Sequence, residues 1–163
     1  MNRERSYTWG DPLELATAAQ RLSGRDFLAR IGSGELPEPP FGATTGIVAV
    51  EIGDGNVVFQ LRPAEWHYNP IGSVHGGILS TLADTALGCA IHTKLPAGTG
   101  YTSLDLTIKF TRAATLDSGL LTCVGQVTSI GRRVGTAEAR ITDSADRVVA
   151  HAVTTCLIMP GSS

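Results

Sequence analysis

Between residues 77 and 93 the chain reads GILSTLADTALGCAIHT, and Asp84 is the one formal charge in that stretch. A carboxylate on a helix that is apolar all round is costly to bury without a partner, and aspartate is a weak residue in a helix interior. Either Asp84 lies on a solvent-facing stripe, or it is kept for chemistry. No second charge marks a solvent stripe here, which favours chemistry. Directly ahead stands His75-Gly76-Gly77. A helix N-terminus offers free N–H groups and the positive end of the helix dipole. Glycines there let a ligand oxygen come within hydrogen-bond reach of the backbone, which suits stabilisation of a developing oxyanion. A plain turn that needs glycine for positive φ would look the same. Gly77 and Asp84 are seven residues apart, roughly 10 Å along one helix at about 1.5 Å per residue. One reacting carbonyl cannot easily touch both within one chain. If both serve one site, the site needs two copies of the helix, offset and antiparallel, as in a two-fold dimer with shared sites.

Other chemistries find little support. His67, His92 and His151 share no ligand spacing, so no metal site is expected. There is no G-x-S-x-G nucleophile motif. Cys89, Cys123 and Cys156 form no CxxC and sit among apolar neighbours, as reduced, buried thiols do. Net charge is −2 with no Lys/Arg run, which argues against a nucleic-acid partner. Only 17% of residues are charged against 42% hydrophobic, below the roughly 25% charged of ordinary soluble domains; self-association would hide the corresponding surface. The polar start MNRERSYTWGD has no apolar core of a secretory signal. No stretch reaches the ~18 apolar residues of a membrane span. A cytoplasmic location is the default expectation.

The elements that must position these residues are legible from periodicity. Leu13, Leu15, Ala18, Leu22, Phe27, Leu28 and Ile31 recur at helical spacing over residues 11–31. Asp11-Pro12 reads as an N-cap followed by Pro at the first helical position, with Gly24 as a break or bend. Gly32, Gly34 and PEPP end this helix, leaving 32–43 as a linker or packed arm. TGIVAVEI and NVVFQLR flank Gly53-Asp54-Gly55 as a hairpin. Residues 63–76 form a loop, 77–93 a helix, and everything after Pro96, Gly98 and Gly100 is strand. YTSLDLTIKFT alternates with Leu104, Leu106, Ile108 and Phe110 on one face, which puts Ser103 on the other. Short turns at Ile130-Gly131 and at 143–146 imply antiparallel neighbours. The fold class is therefore α+β. Long antiparallel strands twist and curl, and the small-residue helix 77–93 is the one suited to sit inside the curl. A curved antiparallel sheet of about six strands wrapped around a central helix, with an N-terminal helix added, is the hotdog fold.

The segment NPIGSVHGGILSTLAD, from Asn69 to Asp84, resembles the signature of the PaaI-like acyl-CoA thioesterases of the phenylacetate-pathway type. Asn, His-Gly-Gly and an Asp nine residues after the His stand at the expected spacing. The resemblance continues through SLDLTIKFTRAA to about residue 159. It implies a thioesterase domain over 42–163, preceded by an N-terminal helical extension and linker over 1–41 to which it assigns no role. It further implies that Asp84 attacks the thioester carbonyl or activates water, and that Gly76 or Gly77 donates to the thioester oxygen. Asn69 matches a residue that orients the nucleophile or the water, and His75 a neighbour of the thioester. Ser103 matches a hydroxyl that places water, a position that Thr102 could take instead. The resemblance implies no metal or organic cofactor, and dimers that pair into tetramers.

An activated thioester with coenzyme A thiolate as leaving group needs little more than one carboxylate and one oxyanion donor. Arg132 and Arg133, in a turn between strands, are candidates for the coenzyme A phosphates. Tyr68, with Trp66, flanks the site loop and either lines an acyl pocket or packs. The expected substrate is a small aryl- or medium-chain acyl-CoA. Rival readings are a hotdog dehydratase or hydratase, and a non-catalytic acyl-CoA-binding regulator.

Overall fold

In a computed structural model, which describes residues 2–161, three helices lead into the sheet. They are α1 (Pro12–Arg21), α2 (Gly24–Ser33) and the short α3 (Pro40–Thr45). Asp11 caps α1, its side chain accepting from the Leu13 N–H. The single helix expected over 11–31 is two, because Ser23 takes an extended backbone and caps α2 through the Asp26 N–H. Gly24 has a packing role at this junction. Its N–H donates to the Leu95 carbonyl, and a side chain there would collide with the His92 carbonyl.

The strands are β1 (Ile47–Ile52), β2 (Asn56–Leu61), β3 (Gly100–Ser103), β4 (Thr107–Phe110), β5 (Leu121–Ile130), β6 (Val134–Thr142) and β7 (Val148–Met159). All pairings are antiparallel, in the order β1-β2-β5-β6-β7-β3, with β4 following β3 along the same edge of β7. The long helix α4 (Gly76–His92) lies against β2, β5, β6 and β7. Its Leu82, Ala83, Ala86, Leu87, Ala90 and Ile91 are fully buried. The approach is close enough that a Cβ on Gly125 of β5 would meet the Ala86 carbonyl. Small residues on α4 and glycine on the sheet are what bring helix and strand together. This is the hotdog architecture, with the sheet left open. Among the described residues no helix is long and apolar enough to cross a membrane.

The stretch from residue 100 to 111 differs from the expected single strand, and the difference bears on the site. Ser103 pairs with Cys156, and Thr107 with Val153. Three residues, 104–106, therefore stand opposite two, 154 and 155, which is a β-bulge. The Leu104 N–H donates to the Thr155 carbonyl, the Thr155 N–H donates to the Asp105 carboxylate, and the Thr154 hydroxyl donates to the Asp105 carbonyl. The extra residue resets the alternation. Ser103 ahead of it and Ile108 beyond it can then face α4 together, although they differ in parity along the chain. The sheet has seven strands rather than about six for the same reason.

Candidate active site

Asp84 projects from the middle of α4 toward the bulge. It is half-buried, and its Oδ1 accepts a hydrogen bond of 2.9 Å from the Ser103 hydroxyl. The groove around it is open and is bordered by Ser80, Thr81 and residues 103–106. Ser103 Oγ also lies 3.9 Å from Cys156 Sγ. Behind the carboxylate stand two groups that stay protonated. Burial, helped by the Asp84 charge, pushes the Cys89 thiol up to about 12. Burial also holds the Tyr101 hydroxyl well above its ordinary range. The electrostatic result is one carboxylate beside neutral groups, with no cation paired to it among the described residues.

The start of α4 sets up the second feature. His75 is its N-cap, and Nδ1 of the exposed imidazole accepts from the Gly77 N–H at 2.8 Å. Gly77 has thus already given its N–H to a side chain. The Gly76 N–H has no acceptor among the described residues, and it stands at the positive end of α4. A Cβ on Gly76 would lie 3.2 Å from the Phe110 ring, so glycine is what keeps this backbone donor open beside that ring. The groove here is formed with Asn69, Ser73, Leu79, Phe110, Thr111 and Arg112. Asp84 and Gly76 lie eight positions apart on one helix, about 12 Å, and face different grooves along the β3–β4 edge.

The sequence profile of the thioesterase superfamily matches residues 71–150. A Pseudomonas aeruginosa protein named as an esterase is 35% identical over 96 residues, 59% of this chain and 70% of its own length. The chain belongs to the thioesterase superfamily. Another relative, named as an esterase in Halobacterium salinarum, is 38% identical over 77 residues, 46% of this chain and 49% of that one, so about half its length is spanned. Among solved structures, the Escherichia coli PaaI protein of the phenylacetic acid degradation operon superposes with a TM-score of 0.73 at 25% identity, covering 86% of this chain and 98% of that one. A thioesterase protein of Streptococcus pneumoniae, solved with coenzyme A, gives a TM-score of 0.64 at 26% identity, covering 72% of this chain and 88% of that one. The fold is that of a PaaI-like hotdog thioesterase, and the class of reaction is thioester hydrolysis.

The remaining predicted positions of this thioesterase fall in varied places. Asn69 bends its own loop: its Oδ1 accepts from the Ile71 and Ser73 N–H groups, and its amide donates to the Ser73 hydroxyl. Tyr68 is a staple, its hydroxyl accepting from the Leu116 N–H at 2.8 Å. Thr102 is exposed on β3, next to Ser103 and on the opposite face of the strand. Arg132 and Arg133 are exposed in the β5–β6 turn. Val134 beside them pairs with Leu157, which pairs with Thr102, so the turn is two strands, about 10 Å, from β3. Trp66 is exposed and carries the Arg5 guanidinium 4.6 Å above its ring. His67 is buried, accepting from the Ala64 N–H and donating to the Thr45 carbonyl. Sequence reasoning passed over Phe110 and Arg112, which border the free Gly76 N–H. Arg112 is exposed and has no acidic partner among the described residues. The usable signal was the strand ending KFTR, a cation at the point where an edge strand stops.

Proposed function

We propose that the protein is an acyl-CoA thioesterase that hydrolyses a small aryl- or medium-chain acyl-CoA to the free acid and coenzyme A. The observation that carries this is the carboxylate of Asp84, alone among charges on α4 and held by the Ser103 hydroxyl in an open groove. As general base, Asp84 takes a proton from water as the water oxygen attacks the thioester carbonyl. As nucleophile, it forms an acyl-enzyme anhydride that water then opens. In either case coenzyme A thiolate departs and the Gly76 N–H, aided by the helix dipole, stabilises the oxyanion. Coenzyme A in the Streptococcus pneumoniae neighbour supports the choice of thioester. Arg112, Arg132 and Arg133 are the exposed cations proposed to meet its phosphates.

The separation of Asp84 from Gly76 asks for a second copy of the chain. The outer edge of β3–β4 has no strand partner among the described residues, and Leu104 and Phe110 on it are 59% and 50% exposed. Antiparallel pairing of two such edges would set the Asp84 groove of one protomer against the Gly76 groove of its partner, giving two shared sites per dimer. Pairing of dimers into tetramers is proposed to use the outer sheet face, where Val124 and Val153 are exposed. Residues 42–163 are proposed as the catalytic domain and 1–41 as its extension. A cytoplasmic location is proposed with them. The test is release of free thiol from a panel of acyl-CoA esters, with wild type beside Asp84→Asn. Wild type turns over and the variant loses about a hundredfold or more. Wild type that binds the esters without releasing thiol would move the assignment to a binding protein.

A further inference from the structure

We propose that the cavity between the N-terminal helices and α4 receives the tail of an unbranched, uncharged acyl chain, so that the N-terminal extension sets chain length. The inference rests on the hydrolase reading above and names its substrate class. The cavity, about 100 Å³, is walled by Leu28 and Ile31 of α2, Phe41 of α3, Phe59 of β2, and Thr85 and Cys89 of α4.

Three observations converge on this occupant. The first is position. Thr85 follows Asp84 directly, and its hydroxyl donates to the Thr81 carbonyl. Thr81 borders the groove that holds Asp84, while Thr85 borders the cavity. One turn of α4 therefore separates the reacting end from the cavity. The second is wall chemistry. The Thr85 hydroxyl is already committed to Thr81, the Cys89 thiol stays protonated in its buried setting, and the other four walls are hydrocarbon. The hydrocarbon walls offer a hydroxylated chain little in return for its desolvation. Glu38, exposed at the mouth, disfavours a chain that ends in a carboxylate. The third is size. An apolar cavity of about 150 Å³ holds benzene, and this one, at about 100 Å³, is narrower, which favours a chain over a ring. It has room for roughly three water-sized groups, which added to the carbons spanning the groove indicates a medium-length chain. The roof of the cavity, α2 and α3, lies outside residues 71–150 that match the superfamily, so this selectivity belongs to the extension.

The experiment is a kcat/KM profile over straight-chain acyl-CoA esters from acetyl to dodecanoyl, with phenylacetyl- and glutaryl-CoA added. Wild type is compared with Ile31→Phe, which fills the cavity, and Phe41→Ala, which opens it at a residue already 39% exposed. Acetyl-CoA is too short to enter, so its rate reports on intact folding. Wild type is expected to prefer medium chains over both added esters. Ile31→Phe is expected to lose about tenfold or more on octanoyl-CoA while its acetyl rate holds, and Phe41→Ala to move the optimum to longer chains. Superimposable profiles for all three proteins, or a wild-type optimum on phenylacetyl-CoA, overturn the cavity assignment and leave thioester hydrolysis standing. A folded wild type that hydrolyses none of the esters overturns the hydrolase reading and this inference with it.

Discussion

Ser103 is the one side-chain donor to Asp84 among the described residues. Its charge-assisted bond aims the carboxylate. If Asp84 activates water, that aim sets the rate. Ser103→Ala is then expected to cut kcat about tenfold with KM little changed, and Ser103→Thr to restore most of it. A raised KM with unchanged kcat would instead place Ser103 in uniform substrate binding. The stability cost is small, because Asp84 still reaches solvent. His67 and His92 carry a different expectation. Burial holds both imidazoles below their ordinary pKa. The unfolded chain therefore takes up protons near pH ~6.5 while the folded chain resists. Stability is full above that value and falls as pH drops toward the folded-state values. Urea midpoints at pH 7.5 and 5.5 are expected to show the loss, and His92→Phe, which keeps an aromatic ring beside Phe27 and Tyr101 without the titrating group, to reduce it. Asp84 stood out in the sequence because charge is scarce on its helix. The distinction between Gly76 and Gly77 did not, because it depends on a ring torsion that folds His75 back onto the Gly77 N–H and leaves that of Gly76 free.

At the scale of elements, the bulge between β3 and β4 is where periodicity misled. Residues 104, 106, 108 and 110 alternate cleanly as apolar, so the text of the sequence favours an unbroken strand with Ser103 facing away. What breaks the strand is Asp105, whose carboxylate takes the Thr155 N–H from across the ladder. A side chain competing for a backbone donor leaves no mark on an apolar alternation. Asp105→Ala is expected to lose about 1 kcal/mol in urea denaturation, and to lower thioester turnover by freeing Ser103 from its register. Unchanged turnover with lowered stability would separate the bulge from the site. The helix–sheet contact was more legible, since the small residues of α4 announce a close approach. Its counterpart Gly125 could be located only once the register of β5 was known. Gly125→Ala is expected to cost about 1–3 kcal/mol by pushing a methyl into the Ala86 carbonyl, measurable as a lower melting temperature. In the N-terminal region the helical period was plain, while the break was displaced by one residue. Gly24 draws the eye as a helix breaker, but Ser23 supplies the cap that starts α2.

For the whole molecule, the low charge content and the bare β3–β4 edge point the same way. An exposed strand with unpaired N–H and C=O groups invites pairing with another chain, and natural edges resist it with charge or bulges. This edge has a bulge, one lysine (Lys109), and two large apolar residues open to solvent. The sequence raises the expectation of a shared-site dimer because helix rise alone keeps Gly77 and Asp84 apart. The edge proposed for it is not legible there, because that depends on which strand the topology leaves at the end of the sheet. Shared sites make a sharp prediction. Asp84→Asn and Gly76→Val should each be inactive as homodimers, since both sites then carry the lesion. When the two are unfolded together and refolded at equal concentration, half the dimers are mixed. In a mixed dimer, one site collects both lesions and the other pairs an intact Asp84 with an intact Gly76 across the two-fold. The mixture should therefore regain about a quarter of wild-type turnover. Mixing without refolding should regain nothing until subunits exchange. If the refolded mixture stays dead while a mixture with wild type refolds normally, carboxylate and oxyanion donor act within one chain, and the spacing along α4 would then have to be bridged by the substrate itself.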